Sequence, residues 1–291
     1  MSRRPTPRGK RGSAPEPVNT IRDHLDEFIS WVDARANGRE DSLGLPTGLI
    51  TLDRASGGFL PGSLTVVTGD GVADHRGLVR HFVLNSVLHN IPTLYAGVDA
   101  LPTAFSVALL ASLSGLHRAQ LLLPETLQED DWPQLSEVVG ALAQAPLSCL
   151  FSRHITLMEL LEAIDRPPEG QDPPRLVVVD YAERIMARDS DSVGGMERLA
   201  AALKSHAQDR NLALVLVAHP HPGPRYPDPE RPGLAESAPL APHPALCRDA
   251  DLLLALRANP REVTIQRGPQ GGSIVLPLFQ EPGSGRFTDG R

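Results

Sequence analysis

The stretch Gly69-Asp70-Gly71-Val72-Ala73-Asp74-His75-Arg76 follows a short apolar run, Leu64–Thr68, and leads into a segment of helical character. A glycine-bearing turn between a strand and a helix can bind phosphate, because its backbone N–H groups converge at a helix N-terminus. A fully equipped loop reads G-x-x-x-x-G-K-[ST]: the lysine reaches the phosphate oxygens and the hydroxyl holds Mg²⁺. Here Asp74, His75 and Arg76 fill the last three positions. Asp74 puts a carboxylate where glycine lets backbone approach phosphate, and His75 is shorter than lysine and mostly neutral at pH 7. Arg76 offers no hydroxyl to a metal. Sliding the register by one residue gives Arg76 the lysine position, but then Gly77 takes the place of the hydroxyl. Gly69, Gly71, Asp74, His75 and Arg76 are the candidate phosphate-site residues, and loss of efficient hydrolysis is expected. The competing reading is an ordinary strand–helix turn.

Three further polar residues close apolar strands. Asp99 ends Thr93–Gly97-Val98 and could orient a water, although aspartate at such a place also starts turns. Asp180 ends Leu176-Val177-Val178-Val179, where a Walker-B carboxylate would hold Mg²⁺ through water; capping is the alternative. His219 follows Leu212–Ala218 and could sense phosphate. His219-Pro220-His221 has no third ligand at metal-binding spacing.

These residues need a scaffold, and the hydrophobic pattern supplies one. Apolar strands at 64–68, 93–97, 148–151, 176–180, 212–218 and 252–257 alternate with helices at about 78–89, 103–114, 131–143, 157–164 and 196–208. Such strands indicate a mainly parallel sheet covered by helices on both faces. In an open sheet of that kind, ligands bind at the carboxyl ends of the strands, where all these candidates fall. Strands at 262–266 and 274–278 around Gly268–Gly272 are expected to form a C-terminal β-hairpin. Residues 220–244 read as a proline-rich loop. Residues 1–18 read as a disordered basic arm, 19–40 as an amphipathic helical segment capped by Thr20, and 41–291 as one α/β domain.

Charge narrows the partners. The five basic residues of the first eleven leave 23 basic against 35 acidic in the rest, a balance of −12. A body this acidic argues against strong duplex-DNA binding. Two cysteines without metal spacing fit a reducing cytoplasm, and no apolar run is long enough to span a membrane. Only two lysines, Lys10 and Lys204, occur in the chain, so arginine in a lysine role is a credible substitution.

Taken in order, the motifs resemble the C-terminal motor domain of DnaB-type replicative helicases, over about residues 20–290. Gly44-Leu45-Pro46-Thr47-Gly48 with Leu52-Asp53 and Gly57-Gly58-Phe59 resembles that family's segment before the first strand. Ala111–Ser114, Glu129-Asp130-Asp131-Trp132, Asp180-Tyr181, Leu203-Lys204 and Arg248–Leu252 follow in the family's order, as does Gln266-Arg267-Gly268-Pro269 with Gly272. The resemblance implies a RecA-like P-loop NTPase fold with a degenerate Walker A motif. It also implies ATP and Mg²⁺ as cofactors, Asp180 as the Walker-B acid, Asp99 in place of a catalytic glutamate, and His219 in place of a sensor glutamine. Arg267 would be an arginine finger reaching a neighbouring subunit's nucleotide, with Ile265 in place of the basic residue two before it. The 19–40 segment resembles a linker helix that packs on an adjacent subunit, so self-association into a ring or filament is implied. Single-stranded DNA is implied as a partner, although the loop meant to face it holds only Arg225 and Arg231 among its prolines. The expected function is a helicase-family protein with impaired ATP hydrolysis and an assembly or regulatory role. The alternatives are an active DNA-dependent ATPase using Arg76 as its lysine, and a nucleotide-independent interaction module.

Overall fold

A computed structural model describes residues 20–37, 44–70, 72–98, 100–186, 194–220 and 242–290. The basic arm, Gly71, Asp99, Arg225, Arg231 and most of the proline-rich loop lie outside the described residues. The chain divides into two units, 1–42 and 43–291. The first contains helix α1 (Ile21–Ala36), whose Ile21, Leu25, Ile29 and Val32 recur at helical spacing and are all exposed.

The second unit alternates strands and helices as its hydrophobic runs require. α2 (Ile50–Ser56) precedes β1 (Leu64–Gly69), and α3 (His75–Leu88) follows it. Next come β2 (Thr93–Val98), α4 (Pro102–Ser114), α5 (Arg118–Leu122), α6 (Asp131–Gln144) and β3 (Leu147–Ser152). The chain continues through β4 (Ile155–Thr156), α7 (Leu157–Asp165), β5 (Leu176–Asp180), β6 (Ile185–Met186), α8 (Gly195–Arg210) and β7 (Ala213–Val217). It ends with α9 (Pro244–Asp249), β8 (Leu252–Ala258), β9 (Arg261–Arg267), β10 (Ile274–Gln280) and β11 (Phe287–Asp289).

Among the described residues, nine strands form one sheet in the order β11-β10-β9-β8-β1-β7-β5-β2-β3. The six from β8 to β3 are mutually parallel, and β9, β10 and β11 add an antiparallel margin. The expected C-terminal hairpin is thus present, enlarged by β11. Pleating sends alternate residues to opposite faces. Val67, Val178 and Val215 meet Leu78 and Phe82 of α3 on one face, while Val66, Val177 and Leu214 meet Leu160 of α7 and Leu199 of α8 on the other. Both faces being covered explains why β1, β5 and β7 are wholly buried, and why β5 and β7 are apolar at nearly every position.

Two features depart from the sequence reading. α3 starts at His75 rather than near Leu78, because the Asp74 carboxylate accepts from Gly77 N at 2.8 Å and caps the helix at that point. The end of the proline-rich segment is helical: Pro244 opens α9, with the His243 side chain accepting from Ala245 N. Among the described residues, no helix is long and apolar enough to cross a membrane.

Candidate functional site

β1, β7, β5 and β2 run in parallel, so the residues leaving their carboxyl ends share one edge of the sheet. Asp180 is the last residue of β5 and its side chain is 2% exposed. An isolated carboxylate so buried would be costly, and two donors answer it. Arg76, in the first turn of α3, puts Nε 2.8 Å from Asp180 Oδ2, and Tyr95 on β2 donates its hydroxyl to the same oxygen at 2.6 Å. The Arg76 guanidinium also lies 4.8 Å from the centre of the Tyr181 ring. Burial works against the Arg76 charge, but the facing Asp180 carboxylate outweighs it and holds the guanidinium above its ordinary pKa. Burial, reinforced by the Asp180 charge, pushes the Tyr95 phenol upward, so it stays a donor. Asp180 Oδ1 is buried without a hydrogen-bond partner.

The loop after β1 is rebuilt around two further carboxylates. Asp70 accepts from Val72 N at 3.1 Å, from Ala73 N at 2.6 Å and from Ala258 N at 3.0 Å, which pins the loop to β8. Asp74 accepts from Gly77 N, from Gln280 Nε2 at 2.9 Å and from Arg80 at 3.3 Å, with Arg118 at 4.0 Å. The N–H of His75 is taken by Ala73 O at 2.9 Å. Four backbone donors of this segment, those of Val72, Ala73, His75 and Gly77, are therefore answered from within the chain. Gly69 is needed for packing, since a Cβ there would come within 3.2 Å of the His75 side chain and of Leu256 O.

An aromatic group covers the Asp180 pair. The His219 ring stacks on Tyr181 with centroids 4.1 Å apart, and His75 meets both edge-on at 5.8 and 6.2 Å. His75 Nδ1 lies 3.1 Å from Ala73 O, while its Nε2 is buried without a partner. Burial lowers the His75 pKa, so the ring is neutral at pH 7. His219 is committed to Glu183, which accepts its backbone N–H at 2.8 Å and lies 3.4 Å from its Nδ1.

Asp180, Asp74, His75, Arg76, Gly69 and His219 thus gather at one edge. Arg267 does not. It ends β9 opposite Leu253, at the amino end of the parallel strands, where its Nη1 donates to Cys247 O and Arg248 O at 3.0 and 2.8 Å. Those carbonyls close α9, a favoured place for a cation. Asp99 and Gly71 lie outside the described residues.

Sequence reasoning passed over Tyr95, Asp70, Arg80, Arg118 and Gln280. A phenol inside the apolar strand Thr93–Val98 was one available signal, because a buried hydroxyl needs a partner. Arg118 and Gln280 carry no such signal, since only the fold brings them to Asp74.

ATP and Mg²⁺ fit this arrangement poorly. A guanidinium already occupies Asp180 Oδ2, the N–H groups of Val72, Ala73 and Gly77 are spent on Asp70 and Asp74, and no hydroxyl stands at position 76 or 77. Among the described residues, no group of three His, Cys, Asp or Glu side chains could hold a metal ion.

Residues 44–259 match the family model described as DnaB-like helicase C terminal domain. The replicative DNA helicase DnaB of Treponema pallidum (strain Nichols) is 26% identical over 253 residues, covering 84% of this chain and 55% of that protein. The replicative DNA helicase DnaB of Leifsonia xyli subsp. xyli is 22% identical over 256 residues, covering 85% and 53%. The chain spans about half the length of the curated relatives it matches. Among solved structures, one described as an ATPase domain superposes with a TM-score of 0.77 at 15% identity, covering 92% of this chain and 99% of that one. A DnaB-like replicative helicase, described with its interactions with primase, also reaches 0.77, at 12% identity and covering 94% and 68%. The mostly parallel RecA-like sheet expected from the sequence is the fold observed.

Proposed function

The chain belongs to the DnaB-like helicase C-terminal domain family, and on that premise we propose that it is a helicase-family subunit without efficient ATP hydrolysis, serving assembly or regulation. One observation carries this reading: Arg76 Nε sits 2.8 Å from Oδ2 of the Asp180 carboxylate. In an active site of this kind that acid would face a metal and its water. Here it faces a resident cation supplied by its own loop, so the degenerate Walker A motif is a structural element. Phosphoryl transfer depends on positioned charge, and removing lysine and metal together costs several orders of magnitude in rate.

The reading with Arg76 as a working lysine is disfavoured by the same contact, because a side chain bound to Asp180 is not free to follow a phosphate. The interaction module that ignores nucleotide altogether draws support from the internally satisfied loop. It differs from the favoured reading only in whether any nucleotide binds.

Self-association into a ring or filament follows from α1 as a linker segment preceding the RecA-like domain at 41–291. Its exposed Ile21, Leu25, Ile29 and Val32 need a covering surface. Arg267 would then act, if at all, on a neighbour's site, since it is remote from its own. Single-stranded DNA stays a secondary partner, and a cytoplasmic location follows from cysteine usage.

The decisive measurement is steady-state ATP hydrolysis by the full chain, with and without single-stranded DNA, beside calorimetric titration with MgATP. The expected result is no turnover above background. A rate typical of a motor ATPase overturns the proposal.

A further inference from the structure

Four guanidinium groups gather beside the tether that holds Asp74. Arg80 and Arg118 both reach its carboxylate, at 3.3 and 4.0 Å, while Arg286 pairs with Glu281 at 3.3 Å. Arg261 has no ion-pair partner among the described residues. Four cations are answered by two carboxylates, in a chain whose overall charge is −7. The acceptor shortage shows at single atoms: Nε of Arg80 and Nε of Arg118 are both buried without hydrogen-bond partners. Burial lowers the Arg80 pKa, and the Arg118 charge beside it adds to the effect against the pull of Asp74.

Arg118 and Arg261 line a pocket of about 300 Å³ together with Gln280, Glu281, Gly283 and Gly285. The turn that walls it is held by Glu281 N donating to Arg286 O at 2.8 Å and Ser284 Oγ donating to Glu281 Oε2 at 2.9 Å. At Gly285, φ is +76° and a Cβ would fall 2.1 Å from Arg118 Nη2. A turn without a side chain at that point is what admits the guanidinium to the pocket wall.

We propose that this pocket, which adjoins the loop after β1 through Asp74 but takes none of its lining from that loop, binds a phosphate group clasped between the guanidinium groups of Arg118 and Arg261. Planar guanidinium forks match tetrahedral oxyanions with paired charge-assisted hydrogen bonds. Glu281 is occupied by Ser284 and Arg286, and Asp74 is shared among four donors of which Arg118, at 4.0 Å, is the most distant, so the two arginines facing the cavity are only partly answered. The volume is at the lower end of the range for small-ligand sites, enough for inorganic phosphate or the phosphate end of a mononucleotide. The inference is independent of whether the chain hydrolyses ATP.

The test is calorimetric titration of the full chain with inorganic phosphate and, separately, with AMP, in chloride buffer of matched ionic strength without Mg²⁺. Binding is expected, weakened about tenfold or more in Arg118→Ala and in Arg261→Ala, as losing a charge-assisted pair implies. Glu281→Gln is expected to tighten it by removing the one carboxylate on the wall. Arg76→Gln, in the loop after β1, is expected to leave it within about twofold. Arg261 is the exposed first residue of β9, so its variant stays informative even if Arg118→Ala unfolds; thermal melts verify each protein. Tighter binding of AMP identifies a mononucleotide, equal binding a free anion, and both uphold the pocket. No binding of either anion at millimolar concentration overturns it and leaves the proposed lack of hydrolysis untouched. Binding lost in Arg76→Gln but retained in Arg118→Ala and Arg261→Ala places the anion in the loop after β1 and overturns both.

Discussion

Asp180 and Asp74 are both carboxylates at the carboxyl edge of one sheet, yet they are held in opposite ways. Asp180 is a strand residue, buried at the end of β5, and depends on one guanidinium and one phenol. Asp74 is a loop residue, a third exposed, and it is tied by a backbone N–H, a carboxamide and two arginines. On the proposed reading the first takes the family's acid position and faces an arginine there. The second stands where a phosphate loop has glycine and carries its own network. On the proposed reading a phosphate site is dismantled in two ways here: an internal cation takes the metal's place, and internal carboxylates take the phosphate's.

The sharpest way to break the contrast is Arg76→Ala. It strands a buried carboxylate with only the Tyr95 hydroxyl, and should cost about 3 kcal/mol, roughly 10 °C in Tm for a domain this size. Urea denaturation measures it. Replacing both partners, as in Arg76→Met with Asp180→Leu, should recover most of the loss, because the expense lies in the unpaired charge. If the single variant is as stable as the parent, the pair is not structural and the site is open to a metal.

Tyr95→Phe removes the second donor to Asp180 without changing ring packing, and about 2 kcal/mol is expected from a hydrogen bond to a charged group. The same denaturation curves, compared with those of Arg76→Ala, show which donor dominates.

A third outcome concerns the ground beneath both acids. Burial lowers the pKa of His81, on α3, to about 4, against an ordinary 6.5. The folded state then binds fewer protons than the unfolded one below pH 6.5, so stability is full above that value and falls as pH drops toward 4. His81 alone should remove about 2 kcal/mol between pH 7.5 and pH 5. His75, also lowered by burial, acts in the same direction. His81→Phe should flatten that part of the pH profile, and a profile that keeps its slope assigns the loss elsewhere.

The smallest effect is expected at Asp74. Asp74→Ala loses a helix cap, worth about 1 kcal/mol, while freeing Arg80 and Arg118 from a carboxylate that is a third exposed. Asp74→Gly, which places glycine in the loop, should leave ATP turnover at background, since neither a lysine nor a hydroxyl comes with it. A coupled ATPase assay would register any recovery.

Leu176–Asp180 illustrates what contiguous residues make legible. An aliphatic run closed by one acid reads as a buried parallel strand, and β5 has those very bounds, because periodicity and burial are local properties. The order of motifs added the family. The start of α3 falls three residues before the expected one, since the apolar pattern begins at Leu78 while the cap that sets the start is a polar residue. The arginine finger role of Arg267 rests on motif order alone, and the structure puts that side chain at the far edge of its own sheet.

By itself the sequence determined the alternating α/β pattern, the strand-end acid and the absence of lysine and hydroxyl from the loop, all properties of contiguous residues. Only the tertiary structure decided that Arg76 spends its charge on Asp180, 104 positions away, and that Gln280, 206 positions from Asp74, helps hold the loop. A side chain's partner is set by which strands lie adjacent in the sheet, and no local pattern encodes that adjacency.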